Sequence, residues 1–471
     1  MSDVLRERRL SGEDLTFWWA DSPMQPTTMA MLLVLDRLPN PTRIRHAFER
    51  AIAAVPRLRQ RVVEAPLGLT LPHWAFDPTF DLDYHVRRHA LTGAHDLDEL
   101  FREVSPAYET PFDRSRPLWE ARLYEGLPEG RAALFFKLHH AVADGVGANA
   151  IFAAMTDWER EPADEPPAEP VPENKGTWAT EPPLRRRVAD ALRDRVALDL
   201  ERARAAAHAL VETVLHPSRV PQALMALRSL TESLRFDSHS PLRTFGRARR
   251  LTGVELPFEG VRRIKRALEA TMIDVILTIM ARAIGTWHRA HGMTEVRELM
   301  TLVPVNLRTP AEWVEKVEVG NVATGLLVPL PIRLHHPIAT FREVQRRVEE
   351  KKADPAAGAT PMLADLLGIL GRQLVTWMGE VTFGAVDFIV TNVPGILATR
   401  HLAGAEIMAA YPFAPVALKS PASVALYGYR DRLFIGIDAD LATMSDVDDF
   451  KGMIVDAYRE LAAAARVEVP A

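Results

Sequence analysis

The chain has 471 residues, of which 48% are hydrophobic and 25% charged, and its net charge is −5. This is an ordinary globular balance, long enough for two or three domains at roughly 100–200 residues each, and it lacks the basic excess that nucleic-acid binding leaves. The absence of cysteine excludes disulfides, thiolate metal sites and a cysteine nucleophile.

In chain order, the N-terminus MSDVLRERRLSGED is charged and lacks the apolar core of a secretory signal. No stretch reaches the ~18 uncharged apolar residues of a membrane span; the nearest, Leu366 to Gly379, is broken by Arg372. The expectation is a cytoplasmic protein, soluble or attached only at a membrane or lipid-inclusion surface. Thr27–Asp36 reads as a buried strand. Ile44, Phe48, Ala51, Ile52 and Val55 then fall on one helical face. A second helix is expected near Leu97–Glu103. LWEARLYEG (Leu118–Gly126) alternates as a strand does, and Ala133–Leu138 is a second strand. A helix is expected from about Gly147 to Trp158.

Composition changes at Glu159. The segment EREPADEPPAEPVPENKGTWATEPP is rich in proline and acid, the pattern of an extended linker. The expected division is residues 1–158, a linker at 159–183, and residues 184–471. The last part opens on an arginine-rich amphipathic helix with Leu184, Val188, Leu192, Val196 and Leu200 on one stripe. That stripe either packs on its own protein or touches lipid. Helices over Val261–Glu269, Met272–His291, Ile338–Lys352 and Val447–Ala465 alternate with strands in ELMTLVPVNLR, NVATGLLVPLPI and VDFIVTNVPG. SVALYGYRDRLFIGIDAD reads as a hairpin turning at Tyr429–Arg432. Both halves are thus of the α/β, layered α+β kind and similar in style, which suggests two related domains without a visible repeat.

The chemistry concentrates in KLHHAVADG. By strand alternation His140 shares a face with Leu134, Phe136 and Leu138, and His139 with Lys137. The expectation is that His140 projects into the apolar interior as the tunable group. Asp144 lies just beyond, in a turn that Gly145 and Gly147 can bend. It either braces the loop or holds the ring. Adjacent strand residues face opposite ways, so the two histidines do not read as one metal site. Counted from His139 the spacing is H-x-x-x-x-D, the signature of glycerol-phosphate-type acyltransferases. However, LPEG (Leu127–Gly130), which mimics that family's second motif, precedes the histidine instead of following it.

HHAVADG (His139–Gly145) resembles the HHxxxDG signature of CoA-dependent acyltransferases, and the chain resembles the bacterial wax ester synthase/diacylglycerol acyltransferases within them. PLWE (Pro117–Glu120), VPVNLR (Val303–Arg308) with Gly320-Asn321, and TNVPG (Thr391–Gly395) follow that family's order. LSGEDLTFWWAD places Asp14 and Asp21 at its N-terminal acidic positions. The chain departs from the family at Ile273-Asp274, where Asn-Asp is usual, so Asp274 is kept and the Asn is lost. LHHP (Leu334–Pro337) lacks the Asp-Gly and is expected in a surface connection.

The resemblance implies two chloramphenicol-acetyltransferase-like domains with a channel between them. It also implies acyl transfer from acyl-CoA, as co-substrate, to a long-chain alcohol or diacylglycerol, with no permanently bound cofactor. His140 would be the general base, removing the hydroxyl proton and returning it to the CoA thiolate. His139 would be secondary, and Asp144-Gly145 would hold the loop. Asn392, Val393, Pro394 and Gly395 would line the acceptor or oxyanion region, unless they form a plain turn. Pro117, Leu118 and Trp119 would shape an acyl tunnel or simply pack. Asn306 and Arg308 would meet polar substrate or form a turn. Two rival readings are a non-catalytic protein that coats lipid inclusions and an acyltransferase for polyketide or peptide acceptors.

Overall fold

The computed structural model describes residues 9–22, 25–93, 95–162, 183–215, 236–238, 240, 246–306, 323–354, 384–416 and 420–469. In the first half, α1 (Gly12–Ala20) starts on a capping box in which the Ser11 hydroxyl and the Asp14 carboxylate accept each other's backbone N–H. The strand β1 (Thr28–Leu35) follows, then α2 (Pro41–Ala54), capped by Asn40, and the hairpin of β2 (Gln60–Val63) and β3 (His73–Phe76). Next come α3 (Leu82–His85), β4 (Val86–Ala90), α4 (Leu97–Glu109), β5 (Trp119–Glu125), β6 (Ala132–His139) and α5 (Gly145–Met155). The α4 helix runs six residues past its expected end. The last helix starts two residues before its expected start, because Asp144 caps it.

The second half contains α6 (Leu184–Leu215), β7 (Arg249–Pro257), α7 (Phe258–Ala267), α8 (Met272–Ala290), β8 (Glu298–Asn306), β9 (Ala323–Pro331) and α9 (Pro337–Ala353). It continues with β10 (Phe388–Ile396), β11 (His401–Leu402), β12 (Ala405–Phe413), β13 (Ala422–Tyr429), β14 (Arg432–Asp440) and α10 (Val447–Ala464). The β13–β14 hairpin turns at Tyr429–Arg432 as its sequence implies. Most of the linker, residues 163–182, lies outside the described residues, as do Arg308, Gly320 and Asn321.

Two six-stranded sheets result, in the orders β11-β12-β1-β6-β5-β4 and β7-β14-β13-β10-β8-β9. The chain does not split cleanly between them. β12, from the second half, pairs antiparallel with β1 and so completes the first sheet. It also crosses closely over the second: a Cβ on Gly436 would stand 1.7 Å from the Pro412 carbonyl oxygen, and one on its register partner Gly253 would meet the Tyr411 ring. The α4 helix, packed beside β12 through Phe101 on Tyr411, also ties the halves. Its Ser105 hydroxyl accepts the Leu251 N–H at 2.9 Å and its Glu109 carboxylate the Arg249 N–H at 2.6 Å.

The rotation of α6 turns most of its leucine stripe outward, against the alternative in which that stripe packs on its own protein. The inward face is Ala191, Asp194, Leu198 and Glu201, because Arg9 pairs with both Asp194 and Glu201 and fixes the helix by charge. Leu184, Leu192, Val196 and Leu200 are exposed, at 66%, 49%, 61% and 54%; only Val188 of that stripe is half-buried.

The close crossing at Gly436 makes a direct prediction. Gly436→Ala should lower the thermal unfolding temperature, since overpacking of this kind costs ~1–3 kcal/mol. Gly452→Ala, on the exposed face of α10 with open space around it, should raise it slightly through helix propensity, by up to ~1 kcal/mol. Thermal melts of the two variants side by side read the difference.

Candidate active site

The site is built at the end of a central strand. β6 lies between β1 and β5, and all eight of its residues are buried, so its side chains meet protein on both faces. This corrects the inference from strand alternation. His139 is the fully enclosed histidine, 1% exposed, while His140 stands just past the strand end and is half-buried. Lys137 does not mark a wet face either. It is 1% exposed, donates from Nζ to the Ala107 and Thr110 carbonyls at 2.7 and 2.9 Å, and sits 3.4 Å from Glu120. Burial lowers its pKa to about 8 against the pull of Glu120.

The two histidines are held differently. His139 Nδ1 accepts the Ala141 N–H at 3.0 Å, which places the ring proton on Nε2, and Nε2 faces the Thr27 hydroxyl at 3.0 Å. The Asp21 carboxylate stands 3.7 Å from the same nitrogen. It accepts from the Thr27 N–H at 3.0 Å and from Arg114 at 2.8 Å. Burial alone would raise the Asp21 pKa; hydrogen bonding from His139, with Arg114 and the Thr27 amide, outweighs it and brings the pKa down to about 2. Arg114 also lies over the Trp18 ring, and Trp18 and Phe112 border the His139 imidazole.

His140 is fixed through its backbone and its ring face. Its N–H donates to the Thr27 carbonyl at 2.8 Å, and its imidazole stacks on Phe17 with centroids 3.8 Å apart and 14° between the planes. Thr27 therefore holds both histidines, one by its hydroxyl and the other by its carbonyl. No feature of the sequence marks Thr27 or Phe17 singly: Phe17 lies within the acidic block LSGEDLTFWWAD, and Thr27 opens the expected first strand.

The loop past the histidines meets the second half of the chain. Asp144 is 5% exposed, and its carboxylate accepts the Gly147 N–H at 2.7 Å as the N-cap of α5. A Cβ on Gly145 would reach the Val393 methyls at 3.3 Å, and Asn149 donates to the Pro394 carbonyl at 2.6 Å. The structure thus brings His139, His140, Asp144, Gly145, Val393 and Pro394 together. Asn392 is on the opposite side of β10 from Val393 and is exposed, as is Gly395.

Pro117, Leu118 and Trp119 are buried beside the histidine strand, where the Leu118 carbonyl accepts the His139 N–H at 2.9 Å. Trp119 donates to the Leu58 carbonyl at 2.7 Å and stacks on His85, so it packs the core. Asp14 is fully buried and faces Arg57. Asp274 is the N3 residue of the α8 capping box, away from the histidines in sequence and in the second core. Asn306 ends β8. Leu334, His335 and His336 form an exposed connection.

This scaffold, two α/β layers with a histidine pair at the end of a central strand, is that of the acyltransferase and condensation-domain fold. A wax ester synthase/diacylglycerol acyltransferase from Marinobacter aquaeolei VT8 superposes with a TM-score of 0.64 at 19% identity, covering 98% of this chain and 100% of that one. A starter condensation domain of rhizomide synthetase, in complex with C8-CoA, superposes with a TM-score of 0.56 at 15% identity over the full length of both chains, 100% of each. The wax ester synthase/diacylglycerol acyltransferase catalytic-domain model matches residues 10–276 and its C-terminal-domain model residues 319–462, so the chain belongs to that family of acyltransferases. A Mycobacterium tuberculosis protein provisionally named a diacylglycerol O-acyltransferase is 31% identical over 410 residues, 84% of this chain and 79% of that protein.

The unequal anchoring predicts unequal stability effects. His139→Ala should lower the melting temperature markedly, because it opens a cavity and orphans the Ala141 N–H, changes of the kind that cost ~2–5 kcal/mol. His140→Ala should melt within a degree or two of the parent. Equal losses in the two melts would contradict the assignment of His139 as the structural member of the pair.

Proposed function

We propose that the protein esterifies a lipid alcohol with the acyl group of acyl-CoA, using His140 as the general base. The observation that supports this best is the contrast within the histidine pair. His139 is enclosed, 1% exposed, whereas His140 stands half-buried at the end of the strand, its ring stacked on Phe17 and its backbone N–H held by the Thr27 carbonyl. An imidazole held in this way takes the hydroxyl proton as the oxygen attacks the thioester carbonyl. When the tetrahedral adduct collapses, the C–S bond breaks and the proton passes to the departing CoA sulfur, leaving ester and CoA thiol. A base so placed is typically worth ~10²–10⁴-fold in rate. Asp144 and Gly145 set the loop, and Val393 and Pro394 form its wall on the side of the second half.

The family contains both wax ester and triacylglycerol activities, and the named relative points to diacylglycerol as the acceptor. Purified protein supplied with palmitoyl-CoA and either a diacylglycerol or hexadecanol should release CoA, faster with the diacylglycerol. His140→Ala should lose at least 100-fold of that release. Retention of release in a folded His140→Ala protein would refute the role of His140. Preference for hexadecanol would overturn only the choice of acceptor.

Both substrates are amphiphiles, and α6 offers a face suited to a lipid surface. Among the described residues no helix is long and apolar enough to cross a membrane. On α6 the exposed Leu192, Val196 and Leu200 lie opposite the buried Ala191 and Leu198, and Arg185, Arg186, Arg193 and Arg204 are exposed along the same helix. We infer that this face rests on an anionic lipid interface, its apolar side chains inserted and its arginines at the headgroups. Leu192→Glu combined with Val196→Glu should reduce co-sedimentation with phosphatidylglycerol vesicles several-fold while leaving turnover of a short, soluble acyl-CoA and alcohol pair unchanged. Undiminished vesicle binding would contradict the inference.

A further inference from the structure

The turn that carries His140 has a difficulty that its own backbone does not solve. Residues 140 to 143 lie between the last residue of β6 and the Asp144 cap, so their carbonyls belong to neither strand nor helix. Ala141 and Val142 are both 0% exposed. Within the turn, the Val142 N–H donates to the His139 carbonyl at 2.9 Å and the Ala141 N–H to His139 Nδ1. This leaves the carbonyls of Ala141 and Val142 buried, and buried carbonyls demand donors.

Arg57 supplies them. It follows α2, and its Nη1 lies 3.4 Å from the Ala141 carbonyl and 3.3 Å from that of Val142. Its other terminal nitrogen, Nη2, is 3.3 Å from the Asp14 carboxylate, and its guanidinium lies over the Trp74 ring at 5.1 Å. The Asp14 carboxylate is itself fixed, because it closes the capping box of α1 by accepting the Ser11 N–H. The α1 helix also carries Phe17, on which the His140 ring stacks. Asp14 and Arg57 therefore join two supports of one side chain, α1 behind its ring and the turn that follows its backbone.

We propose that Arg57, oriented by Asp14, is a positioning residue for acyl transfer: it clamps the carbonyls one and two residues past His140 and so sets where that imidazole stands against the reacting alcohol. The proposal rests on the reading of His140 as the base. The guanidinium shape matters, because one nitrogen spans two carbonyls while the other meets a carboxylate. A lysine ammonium presents a single charged nitrogen and cannot hold both sides. Misplacement of a catalytic group by about 1 Å costs on the order of 100-fold, so the effect should fall on kcat and leave substrate affinity nearly unchanged.

The test compares Arg57→Ala, Arg57→Lys, Asp14→Asn and the double variant Asp14→Asn/Arg57→Ala in steady-state CoA release, with His140→Ala in parallel and circular dichroism on each protein. Arg57→Ala should lower kcat by ~10–100-fold, with KM for acyl-CoA within ~2-fold of the parent. Added guanidinium ion should restore part of kcat. Arg57→Lys should recover little, and the double variant should lose no more than Arg57→Ala alone, because the two residues act as one unit. A folded Arg57→Lys or Arg57→Ala protein with parental kcat overturns the proposal. So does a double variant whose losses multiply. If Arg57→Ala fails to fold, Arg57→Lys and Asp14→Asn decide the matter by the same kcat-against-KM comparison. If His140→Ala keeps its activity, the reading of the base fails instead, and the Arg57 variants then report only on folding.

Discussion

The whole site depends on how Thr27 is bonded. Its hydroxyl meets His139 Nε2, its carbonyl accepts the His140 N–H, and its own N–H is held by Asp21. One residue, just before the first strand, thereby fixes the end of β6, the ring of one histidine and the backbone of the next. Around it the network closes without slack. Asp21 is tied to Arg114, Arg114 lies over Trp18, and Trp18 donates to Glu64. Asp21, half-buried, keeps its charge there because the exposed Arg114 and the Thr27 N–H both meet its carboxylate. An Asp21 held down to about 2 is the electrostatic sign of that satisfaction.

The same closure explains why strand alternation misled. Alternation separates inside from outside where one face of a sheet meets water. β6 has strands on both sides and protein on both faces, so parity carries no information about burial there. Lys137 suggested an outer face only because a lysine is seldom buried. Here it is, with two helix-end carbonyls and Glu120 to receive its ammonium. What separates His139 from His140 is the end of the strand, a boundary that falls between them and that no periodicity fixes to one residue.

Other parts were plain in the sequence. The helices and strands that the hydrophobic period marks stand close to where it puts them, whereas β2, β3, β4, β7, β11 and β12 are not marked by it. The short blocks around Pro117, His139 and Val393, far apart in the chain, meet at one place. Arg57 was not legible, because an arginine in VPRLRQRVV looks like any surface charge until the buried carbonyls of another segment are seen beside it. The entry of β12 into the first sheet was not legible either. The strand pairs with β1 across some 380 residues of chain, as Ala30 opposite Phe413 shows. Only Gly253 and Gly436, small residues opposed in register, hint that another backbone passes close by.

That crossover has a mechanical consequence for the site. β1 carries β12 on one edge and β6, with its histidines, on the other. β10, which supplies Val393 and Pro394 to the histidine loop, belongs to the second sheet, and β12 passes over that sheet at Gly436. The two walls of the site are therefore connected twice, once through the α5–β10 contacts and again through β1 and β12. Parting the walls would have to break the close packing of β12 at Gly436 together with the Asn149–Pro394, Ser105–Leu251 and Glu109–Arg249 hydrogen bonds, while the β1–β12 ladder, which lies within the first sheet, would stay intact. A base positioned by Thr27 and Phe17 on one side and by the loop on the other is served by such a frame, because misplacement of a catalytic group by about 1 Å costs on the order of 100-fold.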